Sequence, residues 1–253
     1  MSRTRKAFWA LLLFAILLAG WSGAVSLSHT EVFPSPSEVL AGFMELWSKG
    51  HLAGYARDSL ARVLSGYLLA VAVGIPFGML MGWYEPFALT MNPLIQIFRP
   101  ISPLAWMPLA VIWFGVSEAA PIFLIFIAAF FPIVVATMNG VRNVPPMYLR
   151  AGANFGLSRR TVLLRVVFPA ILPRVLTGLR IALGIAWLVV VAAEMIAVDS
   201  GLGYLIIDSR NAGKRYDLVV GGMILIGVIG LGLDTAVRLT ERIPALRWGF
   251  RKD

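Results

Sequence analysis

Few residues in this sequence are placed to do chemistry, and most of them are charges stranded in apolar surroundings. Glu194 follows Val190, Val191, Ala192 and Ala193 and precedes Met195 in a long hydrophobic run. An acidic side chain at the centre of a bilayer costs on the order of 2.5–3.5 kcal/mol, so it must face a cavity or a partner. An internal pair with Arg99 or Arg180 is favoured over direct contact with a substrate. Asp234 reads as a snorkelling or helix-pairing residue, and Arg174 and Arg180 as snorkelling ones near the end of a span. Arg99-Pro100-Ile101-Ser102-Pro103-Leu104-Ala105-Trp106 sets a cation and an indole among prolines, where the backbone cannot run as a regular helix.

No constellation for catalysis or metal binding is present. The chain has no cysteine, which excludes disulfides, thiolate metal sites and thiol nucleophiles. The two histidines, His29 and His51, have no partner at metal-ligand spacing. No Ser/His/Asp set or paired carboxylates occur, and no glycine-rich phosphate loop precedes a Lys-Ser/Thr pair. The expectation is a chain with no catalytic residue, no metal and no cofactor of its own.

The most organised polar stretch is 145–174. Pro145 and Pro146 open a helix, Gly156 closes it in the left-handed conformation, and Ser158 caps a second helix that Pro169 and Pro173 interrupt. Val162, Leu163, Val166 and Val167 lie on or near one face of that second helix, with Arg159, Arg160 and Arg165 mostly off it. In the first helix Ala151-Gly152-Ala153 carries almost no side chain, so another protein could approach its backbone closely. Physics alone leaves two readings open, a docking element or an ordinary basic loop with two amphipathic turns.

The elements that must position these residues are membrane spans. With 253 residues, 59% of them hydrophobic and 14% charged, the chain is far too apolar for a soluble domain. The net charge of +9 is dispersed between apolar blocks, which fits membrane loops and not nucleic acid. After Arg3, Arg5 and Lys6 an apolar run extends from Phe8 to about Leu27, a first span, although a cleavable signal peptide opens in the same way. Phe33-Pro34-Ser35-Pro36-Ser37-Glu38 starts a capped amphipathic helix expected on the outer surface. Further spans are expected from Leu60 to about Met81, over 87–115 with proline breaks, over 119–138, 175–198 and 218–237. The broken third segment is the candidate wall of a translocation path, because irregular backbone at membrane depth survives only inside protein or along a cavity. Ser200-Gly201-Leu202-Gly203-Tyr204 is a glycine-rich re-entry before a short helix from Ile206. Three divisions follow: 1–58 with the first span and surface helix, 59–240 as the transmembrane core with a loop at 141–172, and a basic tail over 241–253. Basic residues number 3, 5 and 5 in the N-tail, the 141–172 loop and the stretch from Arg238 to the end against 2 and 3 in the long outer loops. The termini and the loop are therefore expected in the cytoplasm.

The order small-small, three residues, Gly156, nine residues, Val166, one residue, Phe168-Pro169 resembles the cytoplasmic signature loop of ATP-binding-cassette importer permeases. The proline-rich run Arg99–Gly115 and the pair Val191–Met195 with Ser200–Tyr204 resemble the nitrate, sulfonate and taurine branch, which also takes in bicarbonate. Where the family opens its loop with Glu-Ala-Ala, this chain has Arg150-Ala151-Gly152. The resemblance covers nearly the whole chain. It implies an all-α polytopic membrane protein of about six helices, of the type I importer permease kind, in a bacterial cytoplasmic (inner) membrane. It implies a second permease subunit, expected identical, two ATPase subunits that carry ATP and Mg, an extracytoplasmic substrate-binding protein, and lipid as the surrounding medium. Tyr148, Arg150, Ala151, Gly152, Gly156, Leu157 and Pro169 are the expected coupling residues; Arg99, Pro100, Pro103, Trp106 and Glu194 are expected along the pathway or gate. An ion-driven secondary carrier or channel is the alternative, with Glu194 and Asp234 as its only support.

Overall fold

A computed structural model describes residues 3–28 and 32–240, and every regular element among them is helical. The basic tail expected over 241–253 and His29 lie outside the described residues. α3 (His51–Trp83) and α6 (Ala119–Arg142) form the central pair. Glycines on α3 let it lie directly on α6: a Cβ at Gly66 would stand 2.7 Å from the Ile122 carbonyl oxygen, and one at Gly82 would stand 2.5 Å from Val141 Cβ. These contacts advance together along both helices, so the two run parallel.

Parallel neighbours need a return crossing between them. It is made by α4 (Glu85–Phe98), a 3-10 turn at Pro103–Trp106 and α5 (Met107–Phe114), two arms bent by 88°. α9 (Phe168–Ala197) runs back antiparallel: Ile171 meets Gly140 near its start, and Glu194 meets Arg62 near its end. α11 (Tyr216–Thr240) returns alongside α9, with Trp187 Nε1 donating to the Ile226 carbonyl at 3.1 Å. Arg180 and Asp234 join the same two helices through bonds of 2.6 and 2.8 Å, which takes the helix-pairing reading for Asp234 and replaces snorkelling for Arg180.

Among the described residues four helices are long and apolar enough to cross a membrane, five with the bent pair counted as one span. α1 (Arg3–Ser28) contributes a shorter apolar stretch, Leu11–Leu27. Large side chains such as Leu64, Leu68, Leu188, Ile196 and Leu231 are exposed around the bundle, a surface suited to lipid and not to water. The second pass begins at His51 and not at Leu60, because the polar residues Arg57, Ser59 and Arg62 stay helical and the last two are buried between helices.

At the bundle end away from residues 145–162, α2 (Pro36–Ser48) opens with a capping box between Ser35 and Glu38. It is tied to the turn between α10 (Leu202–Gly213) and α11 by Arg215, which binds Glu45 and Asp217 at 2.7 Å each. Hydrogen bonds from Arg215 and Lys49 hold the Glu45 carboxyl down to about 2 from its ordinary 4.5. A depressed carboxylate contributes its attachment above the ordinary value and loses it as pH falls toward the depressed one. We expect labels at Leu40→Cys and Lys214→Cys to stay together until the pH drops below about 4.5 and to separate toward about 2. With Arg215→Ala the tie is absent at every pH and the label distance should lose this pH dependence, as pulsed distance measurements in this otherwise cysteine-free chain would report.

Candidate functional site

The docking stretch begins with α7 (Pro146–Asn154), with Pro145 at the cap and Pro146 in the first turn, where a proline forfeits no helix bond. It ends as expected at Gly156, whose φ is +67°. The Gly156 N–H bonds the Ala153 carbonyl at 2.9 Å and the Leu157 N–H bonds the Gly152 carbonyl at 3.1 Å, the paired bonds of a left-handed helix stop. Ser158 caps the next turn by accepting from the Thr161 N–H at 3.2 Å. Gly152 faces its own chain: it is buried, and a Cβ there would stand 3.0 Å from Val162 Cγ2. Ala151 and Arg150 are exposed, and so are Met147, Tyr148, Leu157 and Phe155, the last at 83%. The free face of α7 is thus apolar with an arginine in it.

The second helix of this stretch is not a separate piece. α8 (Arg159–Val162) passes through a π turn at Leu163–Val167 straight into α9, and together they form one apolar run from Arg159 to Ala197. Pro169 sits in the first turn of α9, just after the π turn, and Pro173 lies within the helix, so neither ends it. The wider turn, with the Phe168 N–H reaching back to the Leu163 carbonyl, loosens the ladder where Pro169 has no N–H to give. A cavity of ≈ 970 Å³ separates α7 from the corner of α3 and α4, between Leu149 and Leu157 on one side and Tyr84 and Asn92 on the other.

At the far end of the bundle Glu194 is fully buried, but its partner is Arg62 at 2.7 Å, not Arg99 or Arg180. Arg180 lies fourteen residues back along the same helix, about 21 Å away at 1.5 Å per residue, and Arg99 lines a different cavity. Ser59 Oγ donates to Glu194 at 2.8 Å and accepts the Leu202 N–H at 2.9 Å, while the Gly203 N–H reaches Glu194 at 3.0 Å. Side chains from α3 and α9 therefore satisfy the first N–H groups of α10, which is why that helix starts at Leu202 and not at Ile206. Arg62 also binds Glu118 Oε1 and the Ser200 carbonyl, at 2.7 and 2.8 Å. Sequence reasoning passed over Arg62 because it stood at the expected edge of a span. Its signal was the series Ser59, Arg62, Gly66, one polar-to-small stripe at helical spacing.

Gly201 closes this cluster. Its φ is +100°, and a Cβ would stand 2.4 Å from the Glu194 carboxyl carbon. Gly201→Ala should cost about 2 kcal/mol or more from backbone strain alone. Gly184→Ala, with no described residue within 4 Å of the added Cβ, should be neutral or slightly stabilising. Melting of the two variants in detergent checks the contrast.

At the 88° break, Arg99 is the C-cap of α4 and lines a cavity of ≈ 390 Å³ with Ile101, Pro103, Phe131 and Ile181. Pro100 is exposed beside it. Trp106 packs against Phe98 with ring centroids 5.8 Å apart, and its buried indole N–H has no partner among the described residues. Arg99 and Pro103 thus line one cavity and Pro100 and Trp106 stand near them only along the chain, whereas Glu194 belongs to the far-end cluster.

The profile of a family described as binding-protein-dependent transport system inner membrane component matches residues 74–243. A putative ABC transporter permease protein of Methanocaldococcus jannaschii is 47% identical over 200 residues, 79% of this chain and 74% of that one. The taurine transport system permease protein TauC of Escherichia coli is 37% identical, covering 90% of this chain and 85% of its own. The nitrate import permease protein NrtB of Synechococcus elongatus is 38% identical, with 90% and 86% covered. Among solved structures, an inward-facing form of the MetNI methionine ABC transporter superposes with a TM-score of 0.67 over 76% of this chain and 94% of its own, at 17% identity.

Proposed function

The chain belongs to the binding-protein-dependent transport system inner membrane components and is the multi-pass permease subunit of an ATP-binding-cassette importer, and from that premise we propose its cargo, its assembly and its coupling residues. The cargo is a small anion or zwitterion of the nitrate, taurine or alkanesulfonate class. Permeases named for taurine and for nitrate are both more than a third identical to it, and what those cargoes share is an oxoanion group. Two copies of the chain pair in the membrane, two ATPase subunits carrying ATP and Mg dock from the cytoplasm, and a binding protein delivers cargo at the far end. The termini and residues 145–162 then lie in the cytoplasm, the side that the basic residues favour.

One observation carries the coupling role. α7 presents Met147, Tyr148, Phe155 and Leu157 outside any span, and its mount, α8, is continuous with α9. A partner that grips α7 through Tyr148, Arg150, Ala151, Gly156 and Leu157 moves a helix that reaches Glu194 at the other end. Gly152 supports this by letting α7 sit close on Val162, and Pro169 by marking where the mount becomes a span. The carrier alternative needs a titrating charge in the bundle, but Glu194 and Asp234 are each held by an arginine.

The test is co-purification of the tagged chain from its native membrane, with an assay of ATP hydrolysis. An ATPase subunit recovered with the chain, and lost when 150–156 is scrambled, supports the assignment. Recovery of the chain alone from an intact membrane would refute it.

A further inference from the structure

We propose that Arg99 forms an oxoanion-binding site inside the permease itself, at the break in the bent span, so that the path selects anions after the binding protein has released them. The proposal rests on the cargo class assigned above and places its recognition on a residue.

The cavity lies at mid-depth. Phe131 and Ala136 come from the central turns of α6, and Ile181 and Ile185 from the central turns of α9. The break adds Ile101 and Pro103, and every residue that lines the cavity besides Arg99 is apolar. Arg62 and Arg180, two other arginines set between these helices, are neutralised by Glu118 and Glu194 and by Asp234. Arg99 has no carboxylate partner among the described residues, and its side chain makes no hydrogen bond there. An arginine held unpaired at membrane depth marks a pathway for charge.

The chemistry of the site selects its occupant. Guanidinium offers a planar fork of donors and no acceptor, which matches two oxygens of a sulfonate or nitrate. Apolar walls leave the attraction of Arg99 poorly screened. At ≈ 390 Å³ the cavity is in the range of small-solute sites.

The absence of native cysteine makes a direct test possible. In the assembled transporter in its membrane, Ile181→Cys places a thiol across the cavity from Arg99. It is treated with two methanethiosulfonate reagents of similar size, one bearing a sulfonate and one a quaternary ammonium. The sulfonate reagent should gain on the ammonium one by on the order of tenfold relative to the same protein carrying Arg99→Gln, and Arg99→Lys should keep most of the preference. Ile101→Cys is the second reporter if the first folds poorly. An unchanged ratio in Arg99→Gln would overturn the proposal, and would point to a carboxylate from a second copy already neutralising Arg99. Failure of both reagents to label either thiol would overturn it too, as a site sealed by lipid. Loss of the ATPase in co-purification would remove the importer assembly while leaving this charge preference to be read by itself.

Discussion

Gly156→Trp is expected to insert and fold normally while reducing ATP-driven uptake to background. No described residue lies within 4 Å of a Cβ placed at Gly156, so a side chain starts there in open space. The left-handed φ of +67° costs a non-glycine residue about 1–2 kcal/mol, paid in a surface turn remote from the packed helices. That is too little to unfold the bundle. What the indole does is stand out beside Phe155 and Leu157, on the face assigned to the ATPase. Gly156→Asn, which tolerates the same backbone and adds little bulk, should retain much of the uptake. Counterflow-free uptake into vesicles, normalised to inserted protein, distinguishes the two. Full uptake by Gly156→Trp would mean that the partner does not grip this turn.

Glu194→Ala should act at the opposite end and in the opposite way, lowering the amount of folded protein. Removing one partner of a buried ion pair leaves the other charge uncompensated and costs about 3–5 kcal/mol. Here the loss falls toward the lower figure, since Glu118 still binds Arg62. It is increased because the Gly203 N–H also loses its acceptor. Glu118→Ala should cost far less: its side chain is 64% exposed against 0% for Glu194, and Arg62 keeps its buried partner. The order of melting temperatures in detergent, Glu194→Ala below Glu118→Ala below the unaltered protein, is the measurement. Reversal of that order would show that the exposed arm, not the buried one, holds the cluster.

Much of this was legible in the sequence where one residue type has one physical use. Ser35 with Glu38, Pro146, Gly156 and Ser158 set helix ends by local chemistry, and each end lies where those residues put it. The prolines of 93–108 announced a break, though not its 88° angle, which depends on what α6 and α9 leave open. Long-range pairing was less readable. Glu194 demanded a cation, but several arginines were available, and only the antiparallel register of α9 on α3 singles out Arg62. Pro169 and Pro173 looked like stops because a proline forfeits a bond in an α-helix, and the π turn that absorbs this leaves no mark in composition. Gly152 looked like a surface for others and proved to be a seat for Val162, a distinction set by which way α7 is turned.

The π turn at Leu163–Val167 also fixes the length of the chain between Ser158 and Ala197 in a way that no single side chain does. Such a turn holds one residue more than an α-turn would, and one residue is about 100° of rotation at 3.6 residues per turn. Shortening the segment by a single codon would allow regular α-helix throughout, yet would swing α7 about a quarter of the way around the axis of α9. The exposed tyrosine and phenylalanine would then address a different compass bearing, with every residue of the head unchanged. Among descendants of this chain, insertions and deletions in 163–167 should accordingly be rarer than substitutions at the same positions.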